Sequence, residues 1–125
     1  MNDLNILHGT VVRPEGCFAG GVEVKDGTIV RVLREDEAPG PARETVDAGN
    51  MLVFPGMIDS HVHIRGGRLE HREDFASGTM AAAAGGVTTV LEMPVTLPPA
   101  SRSGDFVNRE KEVKARAYVD YALYG

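Results

Sequence analysis

Hydrophobic and polar residues alternate along the first third of the chain, which predicts β-strands. The segment 5–12, NILHGTVV, is interpreted as one strand, and 20–32, GGVEVKDGTIVRV, carries the pair Asp26-Gly27 between two segments rich in Val and Ile. An Asp-Gly pair is typical of a two-residue turn whose central residues both take φ > 0, so a β-hairpin is predicted. The charged segment 34–44, with its Pro and Gly residues, predicts a loop.

The pattern changes at Met51. The run 51–59, MLVFPGMID, is apolar without alternation and predicts a strand buried on both faces of a parallel sheet. The segment 73–84, EDFASGTMAAAA, predicts a helix with acidic residues in its first turn and a Gly-Gly stop. Four further elements follow in order: a strand over 87–93, a proline-rich loop over 94–104, a helix over 105–117 and a strand over 118–124.

The order strand, helix, strand, helix, strand favours right-handed βαβ crossovers in a parallel sheet, and hence the α/β class. Three such strands do not close a barrel, because a (β/α)8 barrel needs about 250 residues. The portion after Met51 is therefore expected to be incomplete as a barrel.

Composition and charge limit the partners. The chain has 125 residues, 42% hydrophobic and 25% charged, which fits one soluble globular domain or part of a larger one. Its net charge of -5 is spread without a basic block, which argues against a nucleic-acid partner. No stretch approaches the roughly 20 apolar residues of a membrane span, and the first residues do not resemble a signal peptide. Together with the single Cys17, which cannot form an internal disulfide, this predicts a cytoplasmic protein that binds neither nucleic acid nor membrane.

Two histidines, His61 and His63, stand one residue apart just after the apolar run. On a strand, such residues present their side chains on one face, and neutral imidazole is a good Zn²⁺ ligand. Asp59 shares this face and could orient a ligand or approach the metal, while Gly66 and Gly67 let the backbone pass close to a ligand. The spacing predicts a metal site; the alternative is that two polar residues simply end a strand in solvent.

The motifs FPGMIDSHVHIR and REDFASGTMAAAAGGVTTVLEMP resemble the start of the cyclic amidohydrolases, the group of dihydroorotase, allantoinase and hydantoinase/dihydropyrimidinase. The resemblance covers nearly the whole chain. It implies an α/β fold that is the start of a (β/α)8 TIM-type barrel preceded by a small β-sandwich segment, incomplete as given. Residues 1–53 would form half of a composite β-sandwich, and residues 54–125 the first βαβαβ part of the metal-dependent hydrolase barrel.

The same resemblance implies a metal-dependent hydrolase that opens a cyclic amide or ureide ring. In that family the pair matching His61 and His63 holds one metal, a carboxylated lysine bridges to a second, two later histidines bind the second ion, and a late aspartate is the general base. Only the first two ligands are present here, and the general base is expected beyond Gly125, so this chain alone would hold no catalytic residue and be inactive. The resemblance implies zinc, as one or two divalent ions, and a homo-oligomer at full length.

The substrate is less well specified than the family. Arg65 matches the position at which dihydroorotase-like enzymes bind the substrate carboxylate, and its planar fork suits a carboxylate. The surrounding HIRGGRLEH lacks the Arg-Glu-Pro-Gly of that group, however, and Val95 and Thr96 stand where relatives place an asparagine. Thr96 could still donate a hydroxyl to the ring. The resulting order is allantoinase-like first, dihydroorotase-like second and hydantoinase-like third.

Two other hypotheses stay open: a non-catalytic amidohydrolase-like protein that binds a partner or acts as a scaffold, and a small α/β module complete in itself. Retention of both His61 and His63 argues against the first. The remaining polar residues are interpreted as structural: His8 and His71 as surface residues, and Glu92 as a carboxylate at the end of the second parallel strand that could support the site.

Overall fold

The computed structural model describes residues 1–97 and 99–124, and the chain divides into two compact units, Met1–Pro55 and Gly56–Gly125. The division falls after Pro55, whereas the sequence placed it after Val53. Pro98, in the predicted proline-rich loop, and Gly125 lie outside the described residues.

Within residues 1–55, all of them described, five strands form one mixed sheet. The strands are β1 (Asn2–Arg13), β2 (Gly16–Lys25), β3 (Thr28–Arg34), β4 (Ala42–Asp47) and β5 (Leu52–Val53). Their order is β3-β2-β1-β4, and β5 also pairs with β1. The pairs β1–β2 and β2–β3 are antiparallel, whereas β4 and β5 both run parallel to β1.

The predicted hairpin is confirmed. Lys25 pairs with Thr28, and Asp26 and Gly27 between them take φ values of 51° and 72°. Two successive positive φ values match the twist of the flanking strands, which is why Asp-Gly is favoured there.

The range predicted for the loop, 34–44, is longer than the loop in the structure at both ends. The strand β3 extends to Arg34, and β4 begins at Ala42. The residues of β4 are almost all exposed, and its strand conformation depends on parallel pairing with β1, such as Leu4 with Glu44. Local composition could not reveal a partner 40 residues away in sequence.

In the described part of the second unit, three strands and two helices alternate. They are β6 (Met57–Val62), α1 (Phe75–Ala84), β7 (Val87–Glu92), α2 (Ser103–Arg116) and β8 (Asp120–Leu123). The strands pair in parallel in the order β6-β7-β8, so the predicted element order and parallel pairing are confirmed. Helix α2 begins at Ser103, inside the predicted proline-rich loop.

The core of this unit lies where the two helices meet the sheet. Phe75 of α1, Val90 of β7, Val113 of α2 and Ile64, which follows β6, are at most 2% exposed and form one cluster. Burial of such apolar area is the main force holding the helices on the strands.

The interpretation of 51–59 as one strand buried on both faces is wrong. The run contributes β5 to the first sheet and β6 to the second, with Phe54, Pro55 and Gly56 between them. Proline offers no N–H to a ladder, which accounts for the break. Met57 and Ile58 of β6 are 54% and 66% exposed, so neither face of the sheet is covered at this point by the described residues.

The start of α1 also differs from the prediction, because the acidic residues precede the helix instead of occupying its first turn. Asp74 is the N-cap: its carboxylate accepts the Ser77 N–H at 2.8 Å, and the Ser77 hydroxyl accepts the Asp74 N–H at 3.2 Å. This reciprocal capping box satisfies two N–H groups that lack helical partners. The predicted Gly-Gly stop is confirmed, since Gly85 caps the helix after Ala84.

Within the described residues, neither helix is long and apolar enough to cross a membrane.

Candidate metal centre

The two predicted ligands converge at the carboxyl end of β6. His61 lies in β6 and His63 follows its last residue, so their side chains leave the backbone on the same side. Their Nε2 atoms are 3.3 Å apart, and the rings meet edge to face at 88°. Both residues are exposed. The structure thus brings His61 and His63 together, with their Nε2 atoms within hydrogen-bonding distance of each other.

His63 is held by the neighbouring strand. Its Nδ1 lies 2.9 Å from the carbonyl oxygen of Met93, the residue after β7, and the Met93 N–H donates to the Val62 carbonyl at 2.9 Å. Because a carbonyl can only accept, Nδ1 is the protonated nitrogen in the neutral form of the ring, and in that form Nε2 keeps its lone pair. A backbone carbonyl on the far nitrogen is the usual way in which proteins orient a metal-binding imidazole.

The spacing of the two Nε2 atoms fits a single ion. Two imidazole nitrogens at about 2.0 to 2.1 Å from one tetrahedral Zn²⁺ are about 3.3 to 3.4 Å apart, and the observed separation is 3.3 Å. A tetrahedral site needs four ligands. In residues 1–97 and 99–124, no group of three or more His, Cys, Asp or Glu side chains is placed to hold a metal, so the described chain offers the pair alone.

Asp59 contacts the backbone of this strand. Its Oδ1 accepts the N–H of His61 at 3.1 Å, and the residue is exposed. The structure therefore places Asp59 beside His61, where it supports the backbone that carries the ring.

Arg65 and Thr96, the two predicted substrate-binding residues, lie in different surroundings. Arg65 is half-buried two residues after His63, and its carbonyl accepts a hydrogen bond from Arg109 at 3.3 Å. Thr96 is half-buried and lines a cavity with Gly67, Leu97, Ala100, Asp105, Asn108, Arg109 and Glu112. A second cavity contains His63 and is lined by His63, Met93, Pro94, Ala100 and Tyr124. The structure thus groups Thr96 with Arg109 and Glu112, and of the described residues Ala100 alone lines both cavities.

A buried ion pair that the sequence analysis did not predict lies at the end of β7, next to Met93. Glu92, the last residue of β7, is 0% exposed, and Arg109 of α2 is 3% exposed. The Arg109 Nε donates to Glu92 Oε2 at 3.2 Å, and Nη2 donates to Oε1. The guanidinium also stacks over the Phe75 ring at 4.7 Å. This bidentate geometry is the strong form of an Arg–carboxylate pair.

Burial opposes the charge of both partners. It raises the pKa of Glu92 above its ordinary value, and the hydrogen bond and charge of Arg109 offset part of that rise. Burial also acts to lower the pKa of Arg109, but the Glu92 carboxylate outweighs it, so the pKa of the guanidinium is raised. The guanidinium therefore keeps its charge at neutral pH and holds Glu92 in the hydrogen-bonded pair.

The sequence did contain one signal for this pair. Phe106, Arg109 and Val113 follow each other at spacings of three and four, which is the apolar stripe of a helix. A charged residue on such a stripe is rarely buried unless it is paired with an opposite charge. The pattern thus indicates that Arg109 has a partner, but it does not show which residue that partner is. Glu92 was considered as support for the site, whereas Arg109 was missed.

The other polar residues interpreted as structural are at the surface, as predicted. His8 is exposed and lies 3.3 Å from Asp47, whose pKa is lowered by the Gly49 N–H and by His8. His71 and the free Cys17 are exposed as well.

The second unit is a βαβαβ unit, and its two neighbouring imidazoles lie at the carboxyl end of its first parallel strand, the end at which (β/α)8 barrel enzymes keep their chemistry. The sequence model described as "Amidohydrolase family" matches residues 52–120, more than half of the chain. The chain therefore belongs to the amidohydrolase family, as its motifs predicted, and this family is metal-dependent.

Individual relatives are named for three cyclic substrates. The chain is 46% identical to an allantoinase of Rubrobacter xylanophilus over 124 residues, which is 98% of this chain and 27% of the relative. It is 42% identical to a dihydroorotase of Methanothermobacter thermautotrophicus over 103 residues, or 82% of this chain and 23% of the relative. The solved L-hydantoinase of Arthrobacter aurescens superposes on all of the chain with a TM-score of 0.92 at 36% identity, and 28% of that structure is covered. The chain thus spans about a quarter of the length of the relatives it matches.

Proposed function

We propose that these residues belong to a metal-dependent hydrolase that opens the C–N bond of a cyclic amide, with allantoin or a related ureide such as dihydroorotate or hydantoin as substrate. The observation that carries the proposal is the convergence of the His61 and His63 Nε2 atoms at 3.3 Å, with His63 Nδ1 held by Met93. In this proposal residues 1–53 are half of a composite β-sandwich, and residues 54–125 begin a (β/α)8 barrel.

In this proposal the residues present supply two ligands of one ion and two groups that orient the substrate. His61 and His63 would bind the metal, taken to be zinc, through Nε2, while the Met93 carbonyl keeps the His63 ring in place. A metal bound there would supply a water of lowered pKa and a polarised amide carbonyl. Asp59 supports the His61 backbone. Among the described residues only His61 and His63 are placed as ligands of this site, and the proposal takes the remaining ligands and the general base from elsewhere in the protein.

Arg65 and the Thr96 hydroxyl are the proposed substrate-binding groups. Arg65 follows His63 closely enough to reach a carboxylate or ureide oxygen near the metal, and its fork can bind two oxygens at once. Thr96 can donate to or accept from the ring. Its position beside Arg109 and Glu112 requires that the substrate extend into that cavity or that the loop from Pro94 move toward His63.

Allantoin is the first substrate to test, because the chain is 46% identical to an allantoinase over 98% of its length. Dihydroorotate ranks second, because Arg65 suits a substrate carboxylate although the residues around it depart from the dihydroorotase motif, and hydantoin ranks third. The proposed enzyme is cytoplasmic and forms a homo-oligomer.

The metal site is tested in the protein expressed from its complete coding sequence. Metal-free wild type, His61→Asn, His63→Asn and, as a matched control, the exposed His71→Asn are titrated with Co²⁺ and Zn²⁺. Loss of either ligand should weaken metal binding and reduce turnover by more than about 100-fold. Even the loss of a group that only hydrogen-bonds to a metal ligand lowers metal affinity or activity by about 10- to 100-fold. His71→Asn should behave as wild type.

Initial rates with allantoin, dihydroorotate and hydantoin then identify the ring. Turnover that survives His63→Asn unchanged would contradict the proposal. Metal binding without turnover of any cyclic amide would favour the alternative of a non-catalytic, partner-binding protein.

A further inference from the structure

Arg109 connects three segments of the second unit. Besides Glu92 at the end of β7, its Nη2 donates to the carbonyl oxygens of Ile64 at 3.0 Å and Arg65 at 3.3 Å. Ile64 is 2% exposed, so its carbonyl is held in a dry environment by this bond. One guanidinium on α2 therefore joins the chain just after β6 to the end of β7.

His63 sits between the points that this guanidinium holds. Its covalent neighbour is Ile64, whose carbonyl is bound to Arg109. Its hydrogen-bond partner is Met93, which directly follows Glu92, the other partner of Arg109. Arg109 thus bonds to Ile64, which follows His63 in the chain, and to Glu92, which precedes the hydrogen-bond partner of His63, Met93.

We propose that Arg109 is a positioning residue for the metal site. By fixing the backbone after His63 against the end of β7, it sets the distance between His63 Nδ1 and the Met93 carbonyl, and so directs Nε2 at the point shared with His61. This inference rests on the proposed function, since positioning has a consequence only if the histidine pair binds a metal.

The packing around the guanidinium supports a fixed position. The Phe75 ring covers one face at 4.7 Å. At Gly66, a Cβ would lie only 2.0 Å from Nη1, so glycine leaves the room that the guanidinium needs to reach the two carbonyls. Glu112 Oε2 lies 3.0 Å from the same Nη1. These contacts enclose the guanidinium on several sides, as a positioning role requires, although Nη1 itself makes no hydrogen bond in the described residues.

The experiment separates positioning from stability. In the metal-free protein expressed from its complete coding sequence, Arg109→Met removes every bond of the guanidinium. Glu92→Met combined with Arg109→Met replaces the ion pair by apolar side chains, which commonly restores stability. Val113→Ala is the control for lost packing, because Val113 is 0% exposed in the same core cluster as Ile64 and Phe75, but its side chain makes no hydrogen bond to the backbone after His63.

Three quantities are measured for each variant: the Co²⁺ affinity, the ¹⁵N chemical shifts of the histidine rings in the metal-free protein, and the denaturation midpoint. Arg109→Met should weaken Co²⁺ binding by about 10- to 100-fold, the range for groups that orient a ligand, and should remove the preference for a proton on His63 Nδ1. The double variant should return to the denaturation midpoint of wild type, but its Co²⁺ affinity should stay as low as that of Arg109→Met. Val113→Ala should have a lower denaturation midpoint than wild type, with the same Co²⁺ affinity and the same ¹⁵N shifts of the histidine rings.

The proposal is overturned if Arg109→Met binds Co²⁺ as wild type does, if the double variant recovers affinity together with stability, or if Val113→Ala weakens binding equally. Should Arg109→Met not fold, Gly66→Ala displaces Nη1 while keeping the charge, and the same loss of affinity is expected. His63→Asn distinguishes the two proposals. If it leaves Co²⁺ binding unchanged, the metal site fails, whereas the ring shifts of the metal-free Arg109 variants still decide the positioning role.

Discussion

Glu92 and Arg109 are charged side chains in a part of the molecule where apolar contacts dominate, next to Phe75 and Val113. The loss of hydration makes burial of either charge alone unfavourable. Each side chain is stabilised in the buried position by the other, and Arg109 also by the carbonyl groups to which it donates. The histidine pair differs, because it is exposed and its arrangement comes from alternation along one strand. In the proposed site, His61 and His63 would bind the metal, and Arg109, which the sequence analysis did not single out, would hold His63 in place.

Removing one member of the buried pair should cost far more than removing a surface charge. Arg109→Met leaves Glu92 buried without its partner, and we expect the free energy of unfolding to fall by about 3 to 5 kcal/mol. Urea denaturation at pH 7 measures it. Arg43→Met, which removes an exposed ion pair with Asp3, is the control and should change stability by at most about 1 kcal/mol. Equal effects of the two substitutions would contradict the structural account of the buried pair.

Asp74 predicts a pH dependence. The N–H and hydroxyl of Ser77, with a smaller contribution from Arg116, lower the pKa of Asp74 below its ordinary value of 3.8. A carboxyl whose folded-state pKa is depressed adds stability above its unfolded pKa, and that stability is lost as the pH falls through the folded pKa. Asp74→Ala should therefore lower the Tm at pH 7, and the difference from wild type should shrink as the pH falls below 3.8.

Asp74→Asn separates the hydrogen bond from the charge. Asparagine keeps an acceptor for the Ser77 N–H, so most of the stability at neutral pH should remain, and the pH dependence should be lost. Thermal melts of the three proteins between pH 7 and pH 3 provide the comparison. A difference between Asp74→Ala and wild type that stays constant across this range would contradict a role for the carboxylate charge.

The elements of this protein differ in how far local sequence accounts for them. The hairpin β2–β3 and the ends of α1 follow from residues within each element, namely Asp26-Gly27, the capping pair of Asp74 and Ser77, and Gly85. In contrast, β4 and β5 are short or exposed, and each becomes a strand by pairing with β1. Elements of the second kind depend on contacts that no local pattern contains.

Two glycines with equally open surroundings should respond oppositely to alanine. No atom lies within 4 Å of a Cβ at Gly27 or Gly104, but Gly27 has a φ of 72°, whereas Gly104 lies within α2. Gly27→Ala should destabilise the protein by about 1 to 2 kcal/mol through its left-handed backbone. Gly104→Ala should stabilise it by about 0.4 to 1 kcal/mol by restricting the unfolded chain. Denaturant melts test both, and the same sign for the two would overturn this reasoning.

At the scale of the whole chain, large apolar side chains remain uncovered. Phe54, Met57, Ile58 and Tyr118 are 54% to 66% exposed, and β6 and β8 are the outer strands of the sheet in the described residues. Soluble proteins seldom expose sheet edges and apolar residues together, because such edges pair with other chains. The 125 residues alone carry surfaces that other protein segments would cover.

Purified as 125 residues, the chain should self-associate and show no steady turnover of allantoin with added zinc. Light scattering after size exclusion measures the first property, and a ring-opening assay the second. Ile58→Lys, which places a charge on the exposed edge strand β6, should reduce association, whereas Lys25→Arg on β2 should not. A well-behaved monomer would contradict the first expectation, and steady turnover the second.

The sequence alone was sufficient where the physical cause is local. Alternation on a strand brought His61 and His63 to one face, the Asp-Gly pair predicted the hairpin turn, and the order of apolar segments predicted parallel strands linked by helices. Tertiary structure decided the rest. The run 51–59 is divided between two sheets because its two halves pair with different strands. The hydrogen bonds of Arg109 to Glu92, Ile64 and Arg65 join residues 17 to 45 positions apart in sequence. Such contacts arise only when the elements pack, because burial and hydrogen bonding are properties of the assembled core rather than of any one segment.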